Sequence, residues 1–430
     1  MSRIAVLGTG YVGLTSGACF AHLGHDVVCS DVVESKVDAL SRGEIPMLEP
    51  RLDELVREGV AGGRLRFVLG NAAAAEDCEF AFMCVPTPQG PDGSADLSYI
   101  ESAARDIADV LPQESIVVNK STVPVGSTRV VERVLQRPDV RVVSNPEFLR
   151  EGSAVHDFLH PDRIVIGSED QASAIRVSAL YLGVQAPTIV TDPATAETIK
   201  YASNAFHAAK VSFVNAVAAV CEAVGADVNE VVLGMGYDHR IGFDFLRPGP
   251  GWGGSCFGKD TRALIHTARR GGYDFGLLQG VVDVNEQQFD RIAAKVANAA
   301  GGSLDGVQVA VWGLTFKANT DDLRDSPSIE IVRRLLAAGA TVTAYDPSVP
   351  PGREARELDG LDVDLRADAF AACDGAAVLA VLTEWEEFRF TDLDKVKEAM
   401  ATPVVVDARN LLDRTALTRR GFVYQGVGRP

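Results

Sequence analysis

Short apolar runs alternate with longer segments of helical spacing through the first part of the chain. The runs lie in "RIAVL", "CEFAFMCV", "ESIVVN", "VRVVS" and "PDRIVIGS", and turn residues bound them. Unbroken apolar runs of this length are typical of strands that are buried on both faces. Because helical segments separate the runs, the pattern predicts a mainly parallel sheet covered by helices.

The pattern changes near Thr195, where one long alanine-rich helix is predicted to run as far as Gly225. Strand and helix patterns return in "GVQVAVW", "GATVTAY", "GAAVLAV" and "PVVVDA". The predicted fold class is therefore α/β, with two Rossmann-like, doubly wound domains joined by a long central helix. With "NAAGGS" as a linker, the expected segments are 1–194, 195–300 and 301–430.

Composition and charge exclude several classes of function. Among 430 residues the formal net charge is −18, whereas a nucleic-acid partner requires a basic surface. The seven cysteines form no Cys-x-x-Cys pair, which predicts neither a disulfide framework nor a zinc site. His156 and His160 lack a third ligand at a useful spacing, so we expect no metal. No apolar run approaches membrane-spanning length and the chain opens directly on a strand, so we expect a soluble cytoplasmic protein without a membrane partner.

The first predicted strand runs into the glycine motif "GTGYVG". Gly8 permits a tight turn, Gly10 allows a pyrophosphate to approach the backbone, and Gly13 lets the next helix pack on the strand. Asp31 ends the second strand, where an acid accepts hydrogen bonds from the adenosine ribose and repels a 2′-phosphate. The motif therefore predicts NAD rather than NADP as the cofactor. Lys36 follows closely and is either a ribose contact or an exposed helix lysine.

Polar side chains follow the carboxyl ends of the later strands, the edge at which open α/β sheets bind ligands. They are Thr87, Ser121, Thr122, Glu147 and Glu151. Glu147, in "NPEFL", stands where a carboxylate has no structural task. It is either part of the chemistry or an exposed loop acid.

A second group of candidate residues begins on the long helix. Lys200 and Asn204 are four residues apart, so both lie on one face, where a charge and an amide can stabilise an oxyanion. The alternative is a pair of polar residues on a solvated face. The loop "PGPGWGGSCFGKD" follows, with Cys256 behind two glycines. We expect Lys259 and a nearby helix start to lower the thiol pKa and make Cys256 a nucleophile.

Aromatic and cationic side chains near this loop and in the C-terminal third suit a phosphorylated ligand. Phe243, Phe245 and Trp252 are able to stack on a base. The cations precede the loop or follow strands of the second sheet, and they are Arg240, Arg247, Lys317, Arg324 and Arg409.

The chain resembles the nucleotide-sugar dehydrogenase family, and its UDP-glucose branch in particular, over nearly its whole length. The resemblance lies in "GTGYVG", "VPTP", "STVPVG", "NPEFLREG", "ETIKYASNAFHAAKVSFVN", "GPGWGGSCFGKD" and "GLTFKANTDDLRDSP". It implies oxidation of the C6 alcohol of UDP-glucose to the carboxylate of UDP-glucuronate, with two NAD and water. It also implies that 1–194 binds NAD, that 195–300 is a helical dimerisation and active-site segment, and that 301–430 binds the nucleotide sugar.

The resemblance implies a role for individual residues. Cys256 would trap the C6 aldehyde as a thiohemiacetal, which a second oxidation converts to a thioester. Lys200 and Asn204 would stabilise the oxyanion, and Glu147 would be the base for thioester hydrolysis. Asp260 and Thr122 would handle the proton and the water, and Glu151 would be a second acid.

Further residues are implied in binding. Those expected to contact NAD are Gly8, Gly10, Tyr11, Val12, Gly13, Asp31, Lys36, Pro86, Thr87, Ser121, Thr122, Glu151, Lys259 and Arg324. Those expected to contact the nucleotide sugar are Phe148, Leu149, Glu151, Lys200, Asn204, Arg240, Phe245, Arg247, Gly249, Gly253, Lys317 and Arg409. Arg240 resembles an arginine that reaches the substrate of a partner subunit, which implies a homodimer or larger homo-oligomer.

Alternative functions stay open at this point. Ser255 resembles the UDP-glucose and GDP-mannose branches, whereas Trp252 and Gly258 depart from the family pattern. The same reaction on TDP-glucose or GDP-mannose is therefore a second hypothesis. A two-electron β-hydroxyacid-type dehydrogenase is a third, although it needs no thiol. A non-catalytic NAD-dependent sensor is a fourth, and it leaves Cys256 unexplained.

Overall fold

The computed structural model describes residues 1–90 and 93–429. Its strands are β1 (Arg3–Leu7), β2 (Asp26–Asp31), β3 (Leu65–Leu69), β4 (Phe80–Met83), β5 (Ile116–Asn119), β6 (Arg141–Ser144), β7 (Ile164–Gly167), β8 (Thr188–Thr191), β9 (Gln308–Trp312), β10 (Thr341–Tyr345), β11 (Val363–Leu365), β12 (Val378–Val381), β13 (Val404–Asp407) and β14 (Val423–Gly426). Its helices are α1 (Tyr11–His22), α2 (Glu34–Ser41), α3 (Leu52–Ala61), α4 (Asn71–Ala75), α5 (Ser98–Ala108), α6 (Ser127–Leu135), α7 (Ala154–Leu159), α8 (Gln171–Ala179), α9 (Pro193–Val224), α10 (Val228–Gly236), α11 (Gly254–Arg270), α12 (Gly276–Ala299), α13 (Pro327–Ala337), α14 (Ala369–Cys373), α15 (Glu386–Arg389), α16 (Leu393–Ala399) and α17 (Arg414–Arg419).

The chain divides into two compact units. Unit 1 comprises Met1–Ser203 and Arg262–Tyr273, and unit 2 comprises Asn204–Thr261 and Asp274–Pro430. The residues of α9 and α11 are therefore shared between the units. The expected segment limits at 194 and 300 stay a prediction.

The sheet of unit 1 has the strand order β3-β2-β1-β4-β5-β6-β7-β8. Its neighbouring strands are parallel except β6 and β7, which are antiparallel. Side chains of β1 alternate between two apolar cores, with Ile4 and Val6 in one and Ala5 and Leu7 in the other. Both faces of the sheet are thus buried, which confirms the mainly parallel, doubly wound arrangement.

The sheet of unit 2 has the order β11-β10-β9-β12-β13-β14 and is parallel throughout. This is the strand order of a dinucleotide-binding α/β domain. Val309 and Val311 of β9 enter one core, while Ala310 and Trp312 enter the other. The predicted fold class, two Rossmann-like domains and a long central helix, is confirmed.

Helix α9 begins at Pro193 and ends at Val224, one residue before Gly225, whose φ of +76° stops the helix. Within the described residues it is long and apolar enough to span a membrane, with a mean hydropathy of 1.2 over 18 residues. The expectation that no apolar run approaches that length is therefore wrong for α9. Core helices of soluble proteins meet the same criterion, so one such helix is weak evidence for a membrane.

Candidate active site

The glycine turn after β1 has the geometry that a dinucleotide requires. Gly8 has a φ of +96°, and a Cβ on Gly13 would lie 1.9 Å from the Gly8 carbonyl oxygen. Both positions therefore require glycine for the turn and for the packing of α1 on it. A Cβ on Gly10 would meet nothing within 4 Å, so the backbone there borders open space. Tyr11 and Val12 begin α1, whose first amides lack intrahelical acceptors and suit a pyrophosphate.

Asp31 ends β2 as a buried carboxylate. Its Oδ2 accepts hydrogen bonds from the Thr9 hydroxyl at 2.5 Å and from Lys36 Nζ at 2.9 Å. Burial alone would raise the pKa of Asp31, but the bonds from Thr9 and Lys36 lower it to about 2. Lys36 is thus an ion-pair partner of the predicted ribose-binding acid rather than an exposed helix lysine.

The predicted residues after β4 and β5 lie together. The Thr87 hydroxyl donates to the Thr122 carbonyl at 2.9 Å, and the Ser121 hydroxyl donates to the Val85 carbonyl at 2.7 Å. Pro86, which lies between Val85 and Thr87 in the sequence, is exposed. The ends of two neighbouring parallel strands therefore meet as the strand-edge rule predicts.

Glu147, after β6, is a buried acid and not an exposed loop acid. Its Oε1 lies 2.9 Å from Lys200 Nζ, and its Oε2 accepts from the Leu149 amide at 2.6 Å. Burial alone would raise the pKa of Glu147, but the Lys200 charge and the Leu149 amide hold that pKa below its usual range. Two cations lie over the ring of Phe148. The Arg163 guanidinium carbon is 3.7 Å and Lys200 Nζ is 5.4 Å from the ring centre.

The loop that contains Glu151 is tied to the glycine turn. The Gly152 amide donates to the Tyr11 hydroxyl and to Glu49 Oε2, each at 2.7 Å, and Tyr11 also hydrogen-bonds Glu49. Burial raises the pKa of Glu49. Tyr11 therefore connects the start of α1 to "NPEFLREG", while Glu151 is partly buried in that loop.

In unit 2, Asp260 lies between two of the predicted site residues. Its Oδ2 accepts from Asn204 Nδ2 and its Oδ1 from Lys259 Nζ, both at 2.6 Å. Asp260 is 0% exposed, and both Asn204 and Lys200 of α9 are buried, so they do not form a solvated face. The charge of Lys259 is thus directed at Asp260, and the predicted effect of Lys259 on the Cys256 pKa stays a prediction.

Cys256 lies in the first turn of α11, which begins at Gly254. Its Sγ is 3.5 Å from the Ser255 hydroxyl. Cys256 is partly exposed, whereas the other six cysteines are buried. Partial exposure and a place in the first turn of a helix are features that reactive cysteines share.

The glycines before Cys256 allow very close packing within unit 2. A Cβ on Gly253 would lie 1.9 Å from the Asp325 carbonyl oxygen, and Gly254 has a φ of +80°. Trp252, directly before Gly253, is buried. Its ring N–H donates to the Ser212 hydroxyl at 2.8 Å. Trp252 is therefore a core residue, and the interpretation that it stacks on a base is wrong.

Phe245 has an unusual backbone conformation for a bulky residue. Its φ is +62°, in the left-handed region, and its ring stacks on His207 at 4.2 Å and 8°. Phe257, next to Cys256, lies 6.2 Å from Phe245 between ring centres. Phe245 is thus held against α9 and lies close to Phe257, the residue after Cys256, while Phe243 is exposed.

The predicted cations of unit 2 fall into two groups. Arg409 is partly buried after β13, donates to the Phe316 and Leu382 carbonyls, and has Nη1 3.6 Å from where a Cβ on Gly249 would lie. Lys317 is also partly buried. The others are exposed: Arg240 pairs with Asp238, Arg324 pairs with Asp322, and Arg247 lies on the surface.

Several buried or partly buried polar residues of unit 1 were not predicted from the sequence, although the quoted motifs contain two of them. Glu197, in "ETIKY", accepts a hydrogen bond from the Gly126 amide at 2.6 Å. It therefore caps the start of α6 although it lies 71 residues away in the sequence. Asn145 is in "NPEFL", and Lys120, directly before "STVPVG", donates to Asn145 Oδ1 at 3.1 Å. Arg163 precedes a strand and carries no motif signal.

Three models of one family match the chain in sequence order. Residues 2–185 match the NAD binding domain of the UDP-glucose/GDP-mannose dehydrogenase family. Residues 194–287 match its central domain, and residues 310–414 match its UDP binding domain.

Full-length relatives agree with the family models. UDP-glucose 6-dehydrogenase from Rhizobium meliloti (strain 1021) is 49% identical over 100% of both chains. UDP-glucose 6-dehydrogenase TuaD from Bacillus subtilis (strain 168) is 44% identical over 100% of this chain and 94% of that protein. The structure of a UDP-glucose dehydrogenase from Pyrobaculum islandicum has a TM-score of 0.91 at 39% identity, and the match covers 100% of this chain and 98% of that one. The chain therefore belongs to the UDP-glucose/GDP-mannose dehydrogenase family of NAD-dependent oxidoreductases.

Proposed function

We propose that this chain oxidises the C6 alcohol of UDP-glucose to the carboxylate of UDP-glucuronate, consuming two NAD and one water per sugar. The observation that carries the proposal is Cys256, a partly exposed thiol in the first turn of α11. A two-electron alcohol oxidation has no use for that thiol, and a sensor has no use for a nucleophile. The 49% and 44% identical relatives, both named UDP-glucose 6-dehydrogenases, support UDP-glucose as the substrate.

The first oxidation turns the C6 alcohol into an aldehyde. Bound NAD supplies the hydride acceptor for this step and for the second oxidation. The Lys200 ammonium and the Asn204 amide stabilise the negative charge that develops on the C6 oxygen, and one such donor is worth ~2.7–4 kcal/mol. Asp260 orients Asn204 through the 2.6 Å hydrogen bond. We assign to Asp260 the uptake of the alcohol proton.

The thiol of Cys256 then holds the substrate covalently. Sγ adds to the aldehyde carbon while the thiol proton passes to the oxygen, which gives a thiohemiacetal. Loss of a second hydride and a proton converts this adduct into a thioester. Because the adduct stays bonded to Cys256, the aldehyde is not released between the two oxidations.

Hydrolysis of the thioester releases the product and restores the thiol. Glu147 accepts a proton from the attacking water, and Thr122 positions that water. Lys200 holds the pKa of Glu147 below its usual range, so the carboxylate is ionised throughout the neutral range. The acyl carbon gains the oxygen of water, and Sγ regains a proton.

The nucleotide and hexose are tested by comparing NAD reduction with UDP-glucose, TDP-glucose and GDP-mannose. The proposal requires the highest kcat/KM with UDP-glucose. A higher value with either of the other sugars would reassign the substrate and leave the thioester mechanism in place.

Asp31→Asn is expected to weaken NAD binding by about tenfold, the loss of roughly one charge-assisted hydrogen bond to the ribose. Lys36 would then face the cofactor without its acidic partner, so the preference for NAD over NADP should also fall. Equilibrium titration of both cofactors measures the two effects. Lys36→Met removes the ion pair but keeps the acid, and should preserve that preference. An unchanged NAD affinity in Asp31→Asn would contradict the assigned ribose contact.

We further propose that the chain works as a homodimer or larger homo-oligomer in the cytoplasm. Phe206, Phe213 and Val220 of α9 are 65%, 56% and 61% exposed and recur every seven residues, so they form one apolar stripe. The six buried cysteines are free thiols, as expected in a reducing compartment. Packing of this apolar stripe against a second copy of the chain would remove the three side chains from water and so stabilise the oligomer.

Phe213→Asp is expected to dissociate the oligomer, because it places a charge in that stripe. Sedimentation velocity measures the change in mass. Phe390→Asp charges another exposed aromatic of unit 2 and serves as the control that leaves the oligomer intact. A parental mass for Phe213→Asp would exclude this stripe as the interface.

A further inference from the structure

Unit 1 contains a buried lysine to which the proposed mechanism assigns no role. Lys120 follows β5 and is 5% exposed. Its Nζ donates to Asn145 Oδ1 and to the Tyr181 hydroxyl, each at 3.1 Å, and lies 5.9 Å and 5.6 Å from the ring centres of Phe158 and Tyr181. Both hydrogen-bond partners are neutral oxygens. A buried ammonium with such partners is costly to keep, so its charge needs a reason.

The partners of Lys120 fix the start of the loop that contains Glu147. Asn145 lies two residues before Glu147, and its amide nitrogen Nδ2 donates to the Val165 carbonyl at 2.8 Å. Its backbone N–H donates to the Asn119 carbonyl at 2.9 Å, and the Tyr181 hydroxyl donates to its Oδ1 at 2.5 Å. Asn145 is therefore held through its backbone N–H and through both polar atoms of its side chain, two residues before Glu147.

We propose that Lys120 is a positioning residue for Glu147: it anchors Asn145 and places a second buried positive charge beside the Glu147 carboxylate. The inference rests on the proposed role of Glu147 as the base for thioester hydrolysis. Lys120 itself does not touch the substrate.

The charges around Glu147 explain why a second cation is useful. The groups that act on Glu147 electrostatically are Lys200 and Lys120, and those that act on Lys120 are Cys84, Glu147 and Lys200. With Cys84 neutral, two buried cations act on one buried carboxylate. Glu147 therefore does not neutralise both cations, and Lys200 can also stabilise an oxyanion. Lys200 has the larger effect in keeping Glu147 ionised, and the charge of Lys120 adds to it.

The protonation state of Lys120 fits this role. Burial lowers the pKa of Lys120 to about 8. The ammonium is therefore charged at neutral pH and loses its charge as the pH rises through about 8. Removal of the charge by mutation disfavours the ionised form of Glu147, so the pKa of that acid should rise.

The experiment is a single turnover of UDP-glucose with excess enzyme and NAD, in which NADH formation and uronate release are followed separately against pH. In Lys120→Met and Lys120→Gln we expect the acid limb of uronate release to move up by ~1 pH unit, the low end of the shift that a nearby opposite charge causes. Tyr181→Phe removes one hydrogen bond but keeps the charge, so it should retain the parental limb. Lys120→Arg keeps the positive charge, so the folded variant should show the parental acid limb of uronate release.

The variants separate charge from structure. Lys120→Gln keeps a donor for Asn145, so it decides the question even where Lys120→Met fails to fold. A parental acid limb in folded Lys120→Gln overturns the inference, as does an equal shift in Tyr181→Phe. Glu147→Gln is measured in parallel: if it accumulates no thioester, the base assignment itself fails, whereas accumulation with unshifted Lys120 variants refutes only the role of Lys120.

Discussion

Cys256→Ser should lower uronate release by roughly 10³-fold or more, the scale seen when a nucleophile is removed. A serine hydroxyl in the first turn of α11 has a far higher pKa than a thiol and adds slowly to the aldehyde. The ester that it forms is also a poorer acyl donor than a thioester. Rapid-quench chromatography of the uronate and intact-mass analysis of the enzyme measure both consequences, namely lost turnover and a slowly forming sugar adduct.

The control for this variant is Cys221→Ser. Cys221 is a buried residue in the apolar core of unit 2, so its replacement affects stability rather than chemistry. It should lower the melting temperature and leave uronate release within a few-fold of the parent. Normal turnover in Cys256→Ser would exclude covalent catalysis.

Glu147→Gln should slow thioester hydrolysis by ~10²–10⁴-fold, the usual contribution of a general base, while NADH still forms in the first turnover. Glutamine keeps the shape of Glu147 and a partner for the Leu149 amide, but it cannot take a proton from water. The acyl-enzyme should therefore accumulate on Cys256 and be visible as an added mass. A burst of NADH without free uronate is the kinetic signature.

The matched control is Glu197→Gln, since Glu197 is another buried glutamate of unit 1 that caps α6 and is assigned no chemistry. It should destabilise the protein without accumulation of the adduct.

The pH dependence of hydrolysis is a second check on the role of Glu147. Lys200 depresses the pKa of Glu147, so hydrolysis should persist down to the ordinary glutamate range and fall only as the pH drops through the lowered value. Free uronate without an adduct in Glu147→Gln would remove Glu147 from the mechanism.

Local patterns predicted the parts of the fold whose signals are local. The glycine turn, the end of β2 at Asp31 and the limits of α9 follow from residue spacing within a few positions. Strands β8 and β11 gave no usable pattern, since β8 is a largely exposed edge strand and β11 has three residues. Such strands are formed by pairing with a neighbour, which is tertiary information.

The candidate residues were identifiable from sequence, but their partners were not. Helical spacing placed Lys200 and Asn204 on one face and suggested a shared task. In the structure each has a carboxylate of its own, Glu147 for Lys200 and Asp260 for Asn204. These pairs join positions 53 and 56 residues apart, so they depend on how strands and helices pack rather than on any local period.

The loop before Cys256 illustrates the same limit. Its glycines suggested close approach of a ligand, yet Gly253 is required by the Asp325 carbonyl of the chain itself. Lys259, which the sequence placed near the thiol, donates to its neighbour Asp260. Residue type and spacing thus suggested a chemistry for the loop, which stays a prediction, whereas the contacts of each side chain required the structure.

The most direct test of the central claim is the amount of NADH formed from a limiting, known amount of UDP-glucose with excess NAD. The proposed sequence of two oxidations on Cys256 predicts two equivalents of NADH and one of UDP-glucuronate per sugar. One equivalent of NADH, with an aldehyde as the product, would contradict the four-electron mechanism.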